Sequence, residues 1–227
     1  NGNWENGENI LTNHFGLNKI ADQYKCTIDQ ASIHLDIIRK RLLDRRAGRT
    51  RPGLDDKLLA GWNGIALCGL VDSYLALHKS DLLDLALKNG EYLLGHHLED
   101  NKLYRTSKMQ KKPIRGYLED YAFVINAFIK LYQASFDEKW ITDAKKLSEY
   151  TIANFFDENE GFFFYSDKNA MKLIATKKEI FDNVIPSSNS IMAENLYLLG
   201  LIYDNDEFLN IAEGMINQMK KLITAEP

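Results

Sequence analysis

Four carboxylates stand out by where they fall. Asp55 and Asp56 lead, through Lys57, to Trp62-Asn63-Gly64, in a stretch that begins Arg51-Pro52-Gly53 and runs into an apolar segment. Glu119 and Asp120 follow Arg115-Gly116 and precede Tyr121 at the head of a second apolar segment. Asn189 lies in Pro186-Ser187-Ser188-Asn189-Ser190 at the head of a third. Carboxylates exchange protons with a substrate. Aromatic rings cover the apolar face of a polyol, and amides and cations serve its hydroxyls. The pattern therefore suits a neutral sugar-like ligand. The candidate catalytic residues are Asp55, Asp56, Glu119 and Asp120. The candidate substrate-binding residues are Lys57, Trp62, Asn63, Arg115, Tyr121 and Asn189. A plainer reading stands beside this one. Carboxylates in a first helical turn are stabilised by the helix dipole, and an Asp at 55 or 56 can cap a turn or pair with Lys57 or Arg51. Adjacent helical residues point about 100° apart, so Glu119 and Asp120 cannot face one ligand equally. Glycoside hydrolysis needs two carboxyl groups roughly 5–9 Å apart, a distance that sequence alone does not supply.

Apolar spacing of three and four places the elements that carry these groups. Leu17, Ile20, Ala21 and Tyr24 fit a short helix. Ile28, Ala31, Leu35, Ile38 and Leu42 predict a helix from Thr27 to Arg45 or Arg46, followed by a loop over 47–60. Further helices are expected over Trp62–His78, Asp81–His97, Tyr117–Ala134, Glu138–Phe155, Ser188–Tyr203 and Glu207–Leu222. Counted from Thr27, the second, fourth and sixth are apolar nearly all round, and the other four carry one polar face. That alternation predicts an inner helical layer covered by an outer one. Extended excursions are expected at Lys102–Ser107 and Phe162–Tyr165, and the helix–loop–helix unit recurs every 60–70 residues. If the inner helices run the same way, their polar entrances meet at one end of a helical toroid.

The composition limits the alternatives. The 227 residues are 45% hydrophobic, enough for one substantial core. The net charge of -4 gives no footprint for a nucleic acid, and no apolar run is long enough for a membrane span. The basic run Arg39-Lys40-Arg41, Arg45-Arg46, Arg49 and Arg51 reads as a solvated helix end, with a phosphate or acidic partner as the sharper alternative. Cys26 and Cys68 form no metal or redox pattern, and they fit a cytoplasmic compartment. No cofactor and no metal are expected. His96-His97 reads as a cationic helix C-terminus. None of His14, His34, His78, His96 and His97 falls at an inner-helix entrance, which counts against a histidine-driven epimerase. Ser187-Ser188 lacks the turn of a serine hydrolase.

Taken together, Gly2-Asn3-Trp4-Glu5 with Asn9-Ile10-Leu11, Arg51-Pro52, Asp55-Asp56-Lys57, Trp62-Asn63-Gly64, Leu118-Glu119-Asp120-Tyr121-Ala122 and Pro186-Ser187-Ser188-Asn189-Ser190 resemble the YyaL-like family, the group of the spermatogenesis-associated protein 20 type. The typical glycine of the last motif is replaced by Ser188. The resemblance implies an all-α fold, an (α/α) six-hairpin toroid similar to N-acylglucosamine 2-epimerases and glycosidases. Residues 1–227 would form part of that toroid, incomplete at both ends, since the chain opens without Met and seven helices cannot close a twelve-helix ring. It also implies a thioredoxin-like domain in the intact protein, and the pocket lining named above. Two functions follow as expectations. One is a carbohydrate-active or carbohydrate-binding domain, hydrolase or epimerase-like. The other is a non-catalytic scaffold or client-binding domain working with the thioredoxin-like domain. The expected partners are a carbohydrate, that domain and, through exposed apolar helix faces, a second copy.

Overall fold

The structure, a computed structural model, describes residues 2–7, 9–10, 12, 14–168 and 177–225. Leu11 of the N-terminal motif lies outside the described residues. The chain divides into two compact units, residues 1–55 and 56–227.

In the first unit, α1 (Leu17–Tyr24) packs on α2 (Ile28–Ala47). Thr27 starts α2 with a reciprocal cap: its hydroxyl accepts from the Gln30 N–H, and the Gln30 side chain accepts from the Thr27 N–H. Asn3 pairs through its amide with both the N–H and the carbonyl of Ile10, at 2.7 and 2.9 Å. The Asn3 of the sequence motif thus closes a loop. Trp4 is exposed.

The second unit contains three helical hairpins. They are α3 (Ala60–Leu77) with α4 (Ser80–His97), α5 (Leu118–Ser135) with α6 (Glu138–Phe155), and α7 (Ser188–Tyr203) with α8 (Asp206–Ala225). The first helix of each pair packs side by side with the next, α3 on α5 and α5 on α7, and the second helices cover them. This is the two-layer order that the alternating apolar pattern predicts. It is clearest in α5, where every residue from Asp120 to Ile129 is buried. Phe128, Trp140, Leu67 and Leu93 form the centre of the core. The inner helices run parallel. Gly61, Gly64 and Cys68 of α3 meet Asp120, Phe123 and Asn126 of α5 in ascending order. Gly64 makes the close approach possible, because a Cβ there would lie 2.7 Å from the Phe123 carbonyl oxygen. Between α5 and α7, the Asn126 amide donates to Asn195 (2.9 Å), and the Asn195 amide donates to the Ala122 carbonyl (2.8 Å). These buried amides satisfy one another and fix the register of the two helices.

Short hairpins follow both covered helix pairs. β1 (Leu98–Glu99) pairs antiparallel with β2 (Lys102–Leu103). Asp100 and Asn101 both have positive φ, as a two-residue primed turn requires. On its other side Tyr104 forms an antiparallel bridge with Arg115 of the following segment. β3 (Phe156–Asp157) pairs with β4 (Phe162–Phe163), so the expected strand at 162–165 is shorter than its aromatic run. Phe164 N–H still donates to the Phe155 carbonyl (2.9 Å), and beyond it the Tyr165 carbonyl accepts from the Leu118 N–H at the head of α5 (2.8 Å). Where His96-His97 suggests a cationic helix end, the structure differs. His97 is fully buried, with Nδ1 at 3.0 Å from the Tyr104 carbonyl. Burial pulls its pKa below the usual imidazole value, so it is neutral and adds no charge at the helix terminus.

Candidate functional site

The parallel run of α3, α5 and α7 brings their N-termini to one end of the unit, and the two hairpins deliver residues there. Leu103 to Arg105 lie against Ile114 to Gly116: Gly116 N–H donates to the Leu103 carbonyl and Arg105 N–H to the Ile114 carbonyl, both at 2.8 Å. Side chains alternate across such a pair. Tyr104 and Arg115 share one face, where the Arg115 guanidinium sits 4.5 Å from the Tyr104 ring. Arg105 projects from the other face, towards the head of α5.

There Arg105 bridges two neighbouring carboxylates. Its guanidinium donates to Glu119 and, at 3.1 Å, to Asp120. Asp120 has no exposed surface. One of its oxygens accepts from the Gly61 N–H of α3 at 2.9 Å, the other from the Tyr117 N–H at 3.0 Å. It therefore caps α5 and ties the heads of two inner helices together. Burial lifts its pKa above the usual carboxylate value, against the opposing pull of Arg105 and the two backbone donors. Glu119 faces the other way, as the 100° offset requires. Its side chain keeps 16% exposure and also accepts from the Tyr165 hydroxyl at 3.2 Å. The rings of Tyr117 and Tyr165 stack at 4.9 Å between centroids, and Arg105 lies 5.5 Å from the Tyr117 ring. Burial and the nearby Glu119 raise the Tyr165 pKa, so its hydroxyl stays protonated and donates. The result is a fixed, partly open carboxylate beside an aromatic pair.

Asn189 is buried and acts on backbone. It accepts from the Phe163 N–H (2.8 Å) and donates to the carbonyls of Phe163 (3.1 Å) and Glu179 (2.8 Å). It thereby locks the segment bearing Tyr165 and Glu179 onto the head of α7. The Glu179 carboxylate accepts from Lys177 and Ser188 and lies close enough to Tyr165 to raise its pKa.

The sequence candidates thus separate. Glu119 and Asp120 stand together at the site. Tyr121 is buried, with its hydroxyl accepting from the Leu103 N–H at 2.8 Å. Arg115 occupies the opposite face of the ladder from Arg105. Asn63 donates to the Leu59 carbonyl within the first turn of α3 (2.9 Å), and Trp62 beside it is 60% exposed. Asp56 and Lys57 are exposed on the approach to α3, and Asp55 belongs to the first unit. Arg105, Tyr117, Tyr165 and Glu179 were not singled out from the sequence. The only signal for them is that each lies in or next to an excursion preceding an inner helix. Among the described residues, no cluster of three His, Cys, Asp or Glu could hold a metal, and no helix is long and apolar enough to cross a membrane.

No family model matches the chain. Human spermatogenesis-associated protein 20 is 29% identical over 204 residues, covering 85% of this chain and 26% of the relative. The mouse protein of the same name gives the same identity and coverage. An uncharacterised Caenorhabditis elegans protein is 27% identical over 210 residues, 88% of this chain and 28% of its own length. The chain spans about a quarter of the length of these relatives. Among solved structures, a family 76 α-mannanase from Bacteroides thetaiotaomicron aligns with a TM-score of 0.60 at 18% identity, over 74% of this chain and 46% of the other. A sugar epimerase from a ruminal bacterium aligns at 0.59 and 19% identity, over 74% and 45%. Cellobiose 2-epimerase from Bacillus thermoamylovorans aligns at 0.58 and 15% identity, over 70% and 43%. At these identities the likeness is one of fold. The chain is thus a relative of the spermatogenesis-associated protein 20-type proteins, similar to a part of their length and folded as a fragment of the (α/α) toroid seen in glycosidases and sugar epimerases.

Proposed function

We propose that residues 56–227 form a carbohydrate-binding segment of a toroid, with the sugar seated over Glu119. One observation carries this reading: the Glu119 carboxylate is held by Arg105 and Tyr165, stays partly open, and adjoins the stacked Tyr117 and Tyr165 rings. A carboxylate fixed by two donors accepts from sugar hydroxyls without paying to order its own side chain, and the tyrosine rings offer apolar surface beside it. The fold shared with sugar epimerases and a glycosidase supports the same ligand class.

If the intact protein turns a sugar over, Glu119 is the acid/base group. Asp120 is the positioning residue, acting through Arg105. Hydrolysis needs a second carboxylate, for which Glu179 and Asp56 are the candidates; Lys57, Trp62 and Asn63 would line the approach. The alternative is a non-catalytic scaffold serving a thioredoxin-like domain in a longer cytoplasmic protein. It draws support from the small share of its relatives that this chain spans.

Thermal-shift curves against monosaccharides, amino sugars and short mannose or glucose oligosaccharides test the proposal. The expected result is an upward shift with a subset of sugars, absent in Glu119→Gln. No shift from any sugar, in a protein shown to be folded, favours the scaffold.

A further inference from the structure

On the opposite face of the Tyr104–Arg115 ladder from Glu119 lies a cavity of about 360 Å³ with mixed polar and apolar walls. Lys102, Arg115, Tyr150, Asn154 and Asp167 line it, and buried Tyr121 forms its floor. Its size falls at the small end of ligand sites. The side-chain chemistry is uneven. Asp167 accepts from the Tyr150 hydroxyl at 3.1 Å, and Tyr150 stacks on Tyr121 at 5.6 Å, so the acidic side of the cavity is already engaged. Neither cation is. Arg115 and Lys102 are exposed, Arg115 lies over the Tyr104 ring, and among the described residues neither makes an ion pair. That ring contact holds the planar guanidinium in place while leaving its N–H edges for a ligand.

We infer that this cavity binds a small hydroxylated anion, the phosphate ester or carboxylate of a polyol, through Arg115 and Lys102. The anion lies between the two cations, where a guanidinium fork and an ammonium match its oxygens. Asp167 and the Tyr150 hydroxyl face the ligand's hydroxyl groups. The site is separate from the one at Glu119, since Arg105 and Arg115 project from opposite faces of one ladder. It does not depend on the function proposed there.

Isothermal titration calorimetry of the full chain tests this with glucose 6-phosphate, glucuronate, inorganic phosphate and glucose as probes. Saturable binding of a sugar anion is expected, weakening as salt rises. A preference for glucose 6-phosphate or for glucuronate distinguishes the phosphate from the carboxylate. Arg115→Ala should weaken binding by at least about tenfold, the loss of a charged hydrogen bond, and Lys102→Ala by about threefold. Arg115→Lys, which keeps the charge, should restore part of it. Two results would overturn the inference: no binding by either sugar anion, or binding unchanged in Arg115→Ala.

Discussion

Replacing Asp120 by Asn separates the structural carboxylate of the pair from the open one. Asp120 accepts three hydrogen bonds, from Gly61 N–H, Tyr117 N–H and Arg105, with no exposed surface. An amide has one acceptor oxygen, so its NH2 group must face a backbone N–H or the guanidinium. At least one buried donor then loses its partner, and Arg105 keeps only Glu119. Removing one member of a buried ion pair costs about 3–5 kcal/mol. For a chain of this size, each kcal/mol moves Tm by about 2–4 °C, which gives a fall of about 6–20 °C. Circular dichroism during thermal unfolding, with a urea titration alongside, measures it. Glu119→Gln should cost only about 1 kcal/mol, because its oxygen is partly open and the amide still accepts from Arg105 or Tyr165. If Asp120→Asn cost less than about 1 kcal/mol, or if the two variants were equally destabilised, the division of roles would be refuted.

Three further outcomes follow from single features of the fold. Gly64→Ala drives a methyl group to 2.7 Å from the Phe123 carbonyl oxygen. Overpacking of about 1–3 kcal/mol should exceed the helix-propensity gain of up to about 1 kcal/mol, giving a lower urea midpoint; a neutral result would mean that α3 and α5 can part. Burial holds the His97 pKa below its ordinary 6.5, so as pH falls through 6.5 the unfolded chain takes up a proton before the folded one does. Stability is therefore full above that value and declines as pH drops towards the folded-state pKa. Tm should fall more between pH 7.5 and 5 in the wild type than in His97→Gln, and equal slopes would contradict this. Burial also pushes the Cys68 thiol up to about 12, so iodoacetamide at pH 8 should label it at least about a hundredfold more slowly in the folded protein than in the unfolded chain, as peptide mass mapping would report.

The helices were legible because burial imposes a period. Glu138–Phe155 and Ser188–Tyr203 match at both ends, and the other inner and covering helices differ by at most three residues at either end. Asp137 and Ser187 mark two of those starts by capping them. The all-round apolar character of α5 read correctly because neighbours flank it on both sides. α7 has equally apolar residues, yet Tyr197, Leu201 and Ile202 are exposed. A hydrophobic pattern records what a helix can bury, and it does not say which neighbour does the burying.

The site was only half legible. Glu119 and Asp120 stood out because two carboxylates at an apolar helix head are conspicuous. Their different roles depend on rotation about the helix and on a guanidinium fifteen residues from Asp120 in sequence. Arg105 has no local signal. It reaches Glu119 only because a hairpin with two positive-φ turn residues folds back onto α5 and sets which side of the ladder each residue faces. The same alternation separates Arg115 from Arg105, a separation that spacing along the chain does not reveal. Asn189, grouped with the binding residues by its place at a helix head, spends its amide on the backbone of Phe163 and Glu179.

The central claim is that a sugar binds at Glu119. Calorimetric titration of the sugar giving the largest thermal shift, into wild type and Glu119→Gln side by side, tests it most directly. The account predicts saturable binding by the wild type and a loss of at least about tenfold in the variant, with Tm nearly unchanged. Equal affinity in the two folded proteins would contradict it.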